Sequence, residues 1–594
     1  MKKSRLVIVS LIIILIGCLI ASGVQTDFGN VKIKDVRIAG ADGNIIHGYL
    51  YIPKGVTSKN PAPGIVTIHG YINSLETQSG FNIEYARRGY VVLSIDMPGH
   101  GYSDTRPGEF AGFFSGGVDA VGYMATLPIV DKTKIAIEGH SMGGWNAVLA
   151  QAYLGKLLNT VVLVGSSPST FGLPAVEASS PYNFALVYGK YDEFYSVMYE
   201  TKKPIEVLSS PKMKTAFGTS ESIAANKLYG SFENKTARKI YITDDTHPGE
   251  HISKESIGAA VEFVQSAMPG LKVIDPNDQV WPWKEFGTLV ALLGIGLFII
   301  SLGALLLDTP YFGRLKLPVP ENLKFRGSKA LWGIMAVIAT AIPALTFFKF
   351  YHLADKITAK ALMPQKITNA IVIWALLNAL IFLVIFLIWH FAFAKKAGGN
   401  YYSYGLSTDS EGRTFKWGYL GKTFLLSALV IASAYLLSVM ALVFFKVDFR
   451  IWVVALKAMN TSQLGMFFIY LIPFFIFFLI NGLAAHSYLR FKTNEGNGRS
   501  AAISYVASAA IGCLGMAVLV ILQVVHLLTA ETLMFPTEAL QGIIAYQFVP
   551  LLAFTGFVTV YFNKKTSNIF TGAFVNAMFI TWYVVAGQAT HFFR

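Results

Sequence analysis

The chain has 594 residues, of which 53% are hydrophobic and 14% charged, with a net charge of +14. A soluble domain carries about 25% charged residues, so this composition argues against a wholly soluble protein, and the length allows several domains. The positive charge falls largely in short loops between apolar runs, where it reads as a membrane-topology signal and not as a nucleic-acid site. Cys18 and Cys513 both lie inside apolar runs and supply neither a disulfide framework nor a cysteine metal site.

Residues 6–24 form an apolar run behind Lys2, Lys3 and Arg5. The run is long for the apolar part of a signal sequence, so residues 1–24 read as an N-terminal transmembrane anchor, with a signal sequence as the alternative. Residues 25–275 carry charges and turn residues throughout, as a soluble domain does. Two alternating stretches, 31–38 and 45–52, flank Ala41-Asp42-Gly43-Asn44 and predict a hairpin. Short apolar runs rich in β-branched residues follow at 64–68, 90–95, 135–137, 160–164, 184–187 and 239–242. Helical stretches at 84–88, 118–126 and 144–154 lie between most of them, and another at 255–268 follows the last. Strands buried on both faces and alternating with helices predict a mostly parallel, doubly wound sheet.

The Pro/Trp-rich segment 276–283 marks a boundary, and residues 276–594 read as an all-α polytopic membrane domain. Eight apolar runs, 287–307, 330–351, 368–394, 424–445, 464–487, 501–528, 542–562 and 569–589, are each near the roughly 20 residues a spanning helix needs. Basic residues mark every second connection: Arg314, Lys316, Lys324, Arg326 and Lys329; then Lys395, Lys396, Arg413, Lys416 and Lys422; then Arg490, Lys492 and Arg499; then Lys564 and Lys565. The positive-inside bias makes these connections cytoplasmic, giving a multi-pass cell-membrane protein with a cytoplasmic N-terminus and the domain at 25–275 outside. His390, His486 and His526, close to the ends of their runs, read as interfacial anchors.

Gly139-His140-Ser141-Met142-Gly143-Gly144 stands directly after a strand and before a helix, the setting of a nucleophile elbow. The turn leaves no room for side chains at Gly139 and Gly143, and it lifts the serine to a helix N-terminus, where developing negative charge is favoured. With this motif the chain resembles the α/β-hydrolase superfamily over about residues 35–268. His69-Gly70-Tyr71 is similar to the family's oxyanion loop, and Asp96-Met97-Pro98-Gly99-His100-Gly101-Tyr102-Ser103 to its D-x-x-G-x-G-x-S segment. Leu186-Val187-Tyr188-Gly189-Lys190-Tyr191-Asp192 looks like the strand end bearing the family's acid.

The resemblance implies Ser141 as nucleophile, Asp192 as acid and His247 as base, with oxyanion N–H donors from Tyr71 and Met142. His251 is the alternative base, and Glu193, Asp244 and Asp245 are alternatives for the acid. His69, His100 and His140 read as loop buttresses. A metal reading of His247 and His251 is poor, because Pro248-Gly249 between them is not a helical sequence and no H-E-x-x-H occurs; no cofactor is implied. Only residues 166–182 separate two of the strands where the family often inserts a lid, so a large lid is absent there. Residues 195–237 offer a small cap or a solvated helix pair.

The function expected is a membrane-bound serine hydrolase that cleaves acyl esters, its partners being a small-molecule or lipid ester and membrane lipids, with no nucleic acid. A peptidase of the prolyl-oligopeptidase type, an acyltransferase with the same triad, and a transporter or lipid-handling protein with an accessory hydrolase are the alternatives.

Overall fold

A computed structural model describes residues 3–40, 43–105, 116–319, 328–357, 361–408, 415–491 and 498–590. Ala41 and Asp42 of the expected hairpin turn lie outside the described residues, as do Lys2, Lys324, Arg326, Arg413 and Lys492 of the basic segments.

After α1 (Lys3–Gln25), the N-terminal part contains β1 (Val31–Ala39), β2 (Ile45–Pro53), β3 (Ala62–Ile68), α2 (Ser79–Arg87), β4 (Val91–Ile95), α3 (Gly116–Thr126) and β5 (Val130–His140). It continues with α4 (Met142–Leu154), β6 (Thr160–Val164), β7 (Asn183–Tyr191), α5 (Tyr195–Tyr199), α6 (Pro211–Phe217), β8 (Arg238–Thr246) and α7 (Lys254–Ala267). The eight strands form one sheet in the order β1-β2-β4-β3-β5-β6-β7-β8. The β1–β2 and β2–β4 pairs are antiparallel and the rest parallel. Two separate apolar cores lie against it: α3 and α4 contribute to one, α2 and α7 to the other. This is the α/β-hydrolase fold the motifs imply.

The expected strand at 135–137 is eleven residues long. Its first half, with Asp131, Lys132 and Lys134, is largely exposed, which hid it from an apolar reading. The 195–237 segment is more than a solvated pair: Met198, Tyr199 and Met213 are buried in the core beneath α4.

The C-terminal part is helical: α8 (Trp281–Leu306), α9 (Lys329–Ile357), α10 (Lys366–Trp389), α11 (Trp417–Phe445), α12 (Thr461–His486), α13 (Gly498–Ala530), α14 (Ala539–Thr566) and α15 (Phe570–Gly587). Among the described residues, nine helices including α1 are long and apolar enough to cross a membrane. A small hairpin, β9 (Phe449–Ile451) with β10 (Val454–Leu456), interrupts the α11–α12 connection; no sequence pattern announced it.

Helix α1 is part of the bundle. Small residues let it approach α8 closely: a Cβ at Gly17 would collide with the backbone of Gly287 and Ala291, and one at Gly287 with that of Ala21 and Gly17. Contacts among the basic connections gather at one end, where Lys3 and Lys316 both pair with Asp308, at 2.6 and 2.8 Å. The hydrolase domain sits at the other end. There Glu84 Oε1 accepts bonds from the Val280 and Trp281 N–H groups (2.7 and 3.1 Å), satisfying the start of α8. Arg88, fully buried, pairs with Glu84 at 2.7 Å and donates to the Asp275 carbonyl at 2.5 Å. One carboxylate thus ties the sheet's helix α2 to the linker and to the first helix of the bundle after it.

The loop after β4 is equally fixed. Asp96 accepts from Leu75 N (2.9 Å) and Tyr102 N (3.0 Å) and pairs with His47 Nδ1 at 2.8 Å, so the D-x-x-G-x-G-x-S segment acts as a brace. Burial lowers the basicity of His47, but its bonds to Asp35 and Asp96 more than offset this and raise its pKa to about 9. A raised folded value means that protonated His47 stabilises the fold fully below its ordinary value near 6.5, and that this contribution is lost as pH rises through about 9. The shift corresponds to about 3 kcal/mol. Thermal unfolding followed from about pH 6 to about pH 10 should therefore show declining stability in the wild type and a visibly flatter decline in His47→Gln. Parallel declines in the two proteins would disprove the assignment.

Candidate active site

Ser141 stands between β5 and α4 at φ 55°, ψ −121°, a conformation that non-glycine residues rarely adopt. The surroundings hold it there. Its N–H donates to Val164 O (2.9 Å), and its carbonyl accepts from Gly144 N (2.9 Å) and Ser166 Oγ (2.6 Å). Side chains at Gly139 or Gly143 would meet backbone, the first that of Gly143 and Gly144, the second that of Ile68 and His69. The 70–71 loop passes so near that a Cβ on Gly70 would lie 3.1 Å from Ser141 Cβ. Met142 opens α4, so its N–H belongs to the first turn, which has no intrahelical acceptor.

Asp192 follows β7 and is fully buried; its Oδ2 lies 2.7 Å from His247 Nδ1, while Oδ1 accepts from Phe194 N at 2.7 Å. The structure therefore brings Asp192 and His247 into contact. Ser141, Met142, Tyr71, His247 and His251 all line one cavity of about 500 Å³. His251 does not share the carboxylate: its ring packs on His140 with centroids 3.8 Å apart, and burial pushes its pKa down to about 3. Asp244 and Asp245 point elsewhere, to Lys190 (3.8 Å) and Ser256 (2.7 Å).

Glu193 takes a different part. Its Oε2 accepts the His247 backbone N–H at 2.7 Å, and burial together with the neighbouring Asp192 raises its pKa to about 7. His140 joins the elbow to the histidine loop, Nε2 bonding to His247 O at 2.9 Å. Glu250, fully buried, accepts from Gly189 N (2.7 Å) and reaches within 3.1 Å of His140 Nε2. His140, His247 and Glu250 offer ligand atoms within 4.8 Å of one another. Their chemistry is that of a hydrogen-bonded buttress: burial favours the neutral acid at Glu250 and the neutral ring at His140, and His247 Nδ1 is already engaged by Asp192.

Several residues around the site come from the helical region, and sequence reasoning missed them. Trp452, at the turn of the β9–β10 hairpin, has φ 51° and donates from Nε1 to Pro248 O at 2.6 Å, one residue beyond His247. Tyr546 of α14 packs against Trp452, ring centroids 5.3 Å apart, and its hydroxyl donates to Glu193 Oε1 at 3.4 Å. Lys457 pairs with Glu76 at 2.7 Å, and Arg450 with Asp448 at 2.6 Å.

A model of the alpha/beta hydrolase family matches residues 65–220. Together with the sheet, this makes the N-terminal part an α/β-hydrolase domain. An uncharacterized protein of Mycobacterium tuberculosis is 27% identical over 138 residues, 23% of this chain and 38% of that protein. The multifunctional-autoprocessing repeats-in-toxin of Vibrio vulnificus is 29% identical over 161 residues, 26% of this chain and 3% of the toxin. The chain thus spans well under half the length of these curated relatives. Among solved structures, Est1E of Butyrivibrio proteoclasticus with ferulic acid bound is 18% identical (TM-score 0.28, 39% of this chain, 96% of that one). The Pyrococcus furiosus esterase Pf2001 is 16% identical (TM-score 0.31, 41% of this chain, 94% of that one).

The buttress makes a prediction about protonation. If Glu250 is the neutral acid, Glu250→Gln keeps its shape and charge and should leave the melting temperature near that of the wild type at neutral pH. Glu250→Ala strands Gly189 N–H and should cost about 1–3 kcal/mol. Equal, large losses in both variants by thermal unfolding would show that an ionised carboxylate is required.

Proposed function

We propose that the protein is a membrane-bound serine hydrolase that cleaves acyl esters through an acyl-enzyme, with Ser141 as nucleophile, His247 as base, Asp192 as orienting acid, and the Met142 and Tyr71 N–H groups as oxyanion donors. The observation that carries this reading is the 2.7 Å contact between Asp192 and His247 on the cavity that a strained Ser141 also lines. With Asp192 on Nδ1, the imidazole proton belongs there and Nε2 is the basic nitrogen. That nitrogen takes the Ser141 proton as Oγ attacks the carbonyl carbon, and gives it to the leaving alcohol as the C–O bond breaks. Water, deprotonated by the same nitrogen, then releases the acid and restores the serine. The dipole of α4 and its free first-turn N–H groups favour the oxyanion.

The helices are read as membrane spans, and α1 as a retained anchor, a reading supported by its close packing on α8 around Ile14, Gly17 and Ala21. The basic connections lie at the end of the bundle away from the hydrolase domain, which supports a cytoplasmic N-terminus and an extracytoplasmic active site. A second reading, a lipid-handling bundle with an accessory hydrolase, has one observation in its favour: a further cavity of about 460 Å³ among α9, α10, α12, α13 and α14, with Asn378, Ser508 and Thr555 in its wall.

The test is labelling of the full chain by a fluorophosphonate. Wild type should label at Ser141, Ser141→Ala should not, and Asp192→Asn should slow ester turnover by about 10⁴-fold, as loss of the orienting acid does in other triads. Undiminished labelling of Ser141→Ala, or an Asp192→Asn variant as fast as wild type, would overturn the assignment.

A further inference from the structure

The cavity at Ser141 has two walls from different parts of the chain. One belongs to the hydrolase domain and includes Met142, Trp145, Phe194 and Met198. The other is built by the helical region: Leu540, Ile543 and Ile544 from the first turns of α14, Tyr583 and Gln588 from the end of α15, and Trp452 from the hairpin. Residues 166–182 contain no inserted domain, and the ends of the helices line the cavity together with the hydrolase residues.

The lining chemistry narrows the ligand. Its charged members are already neutralised in place: Lys457 by Glu76, Arg450 by Asp448, and Glu285 by Lys284 at 3.0 Å. Gln547 accepts the Tyr583 hydroxyl at 2.9 Å. What these groups leave to a ligand is mostly hydrocarbon surface. The hydrolase side of the lining carries exposed apolar residues as well, Phe171 at 60%, Val197 at 43% and Ile252 at 37% exposure, an uncommon cluster for a water-facing rim. The α14 wall begins within the first turn of a helix long and apolar enough to cross a membrane, so a chain lying along Leu540 and Ile543 lies at the level where that helix meets the bilayer surface.

We infer that the first turns of α14 and the end of α15 form the acyl-binding wall of the active site, and that the substrate is an ester carrying a long hydrocarbon chain, drawn from the membrane surface. This inference rests on the reading of Ser141 as nucleophile. The helices then do more than hold the enzyme in place; they supply half of its substrate site.

The test separates the two claims. Full-length Ser141→Ala in lipid nanodiscs binds without turning over. A hexadecanoyl ester with a terminal diazirine, photolysed on this variant, should attach within residues 540–547 or 583–588, and unlabelled hexadecanoyl ester should compete it away. Adding Ile543→Trp fills the wall and should lower that capture about tenfold, while Leu540→Ala, which removes atoms instead, should lower it by a smaller factor. Attachment confined to bilayer-facing positions such as Leu522 and Val525, or capture unaffected by either substitution, would overturn the inference. Fluorophosphonate labelling of wild type is read in parallel. Labelling of Ser141 without capture on α14 or α15 sinks the acyl wall alone, and capture there without labelling sinks the nucleophile reading alone.

Discussion

The buried ion pair between Lys457 and Glu76 is the constraint around which the two halves are arranged. Lys457 belongs to the α11–α12 connection and Glu76 to the loop after β3; their 2.7 Å contact is almost wholly withdrawn from solvent. Two charges taken out of water cost several kcal/mol each, and mutual attraction offsets this only when geometry and further hydrogen bonds are good. Here Ser74 Oγ also accepts from Lys457 Nζ at 2.7 Å, and the Lys457 carbonyl accepts from Trp582 Nε1 at 2.6 Å. The Lys457 ammonium finds its acceptors, Ser74 and Glu76, only on the other half of the chain. Removing one partner would leave the other charge buried and uncompensated, which favours the one docking register in which the two meet.

From that register the rest of the seam follows. Tyr102 OH reaches Ala458 O at 2.8 Å, and Asn460 Nδ2 reaches Gly101 O at 3.1 Å, which pins the loop after β4 to the start of α12. The β9–β10 hairpin is then aimed at the histidine loop, where Trp452 holds Pro248 O. A tryptophan at positive φ is costly, and residues of this kind persist where their surroundings over-determine them. The same loop is held from the other side by Glu193 and, through it, by Tyr546. The position of His247 relative to Ser141 therefore depends on side chains more than 200 residues away in the sequence.

The length of these connections decides which parts of the molecule are legible in the sequence. The elbow was legible because its chemistry is local: strand, glycine-flanked serine and helix are contiguous, and the glycines mark backbone contacts that any side chain would violate. The strands carrying Ser141 and Asp192 were legible as apolar runs, and the basic connections as a periodic charge pattern. Choosing between His247 and His251 needed the third dimension, since both stand in one short loop and only the turn at Pro248 puts one on Asp192 and the other on His140. Glu250 left no signal at all. A glutamate in a loop reads as solvated, and only its full burial beneath Gly165 and Gly189 reveals a neutral acid. Trp452 and Tyr546 were invisible for a related reason: nothing in their sequence neighbourhood points to a distant histidine.

A single helix would suffice to tether a hydrolase to a membrane, and the eight helices after the linker ask for another account. Packing supplies part of it. α15 is almost entirely enclosed by its neighbours, every residue from Phe570 to Ala586 being buried, whereas only five of the 29 residues of α9 are. A helix so enclosed faces protein on all sides and behaves as the core of a domain. Its C-terminal end, with that of α14's first turns, comes to the cavity that Ser141 lines. The central helix of the bundle thus connects the bundle's interior to the face of the sheet that carries Ser141, and a substitution that tilts α15 would reshape the cavity without touching the hydrolase domain. In that sense the helical region and the sheet are one structure around one cavity, and Glu84 of α2, which accepts the Val280 and Trp281 N–H groups, fixes the first helix after the sheet.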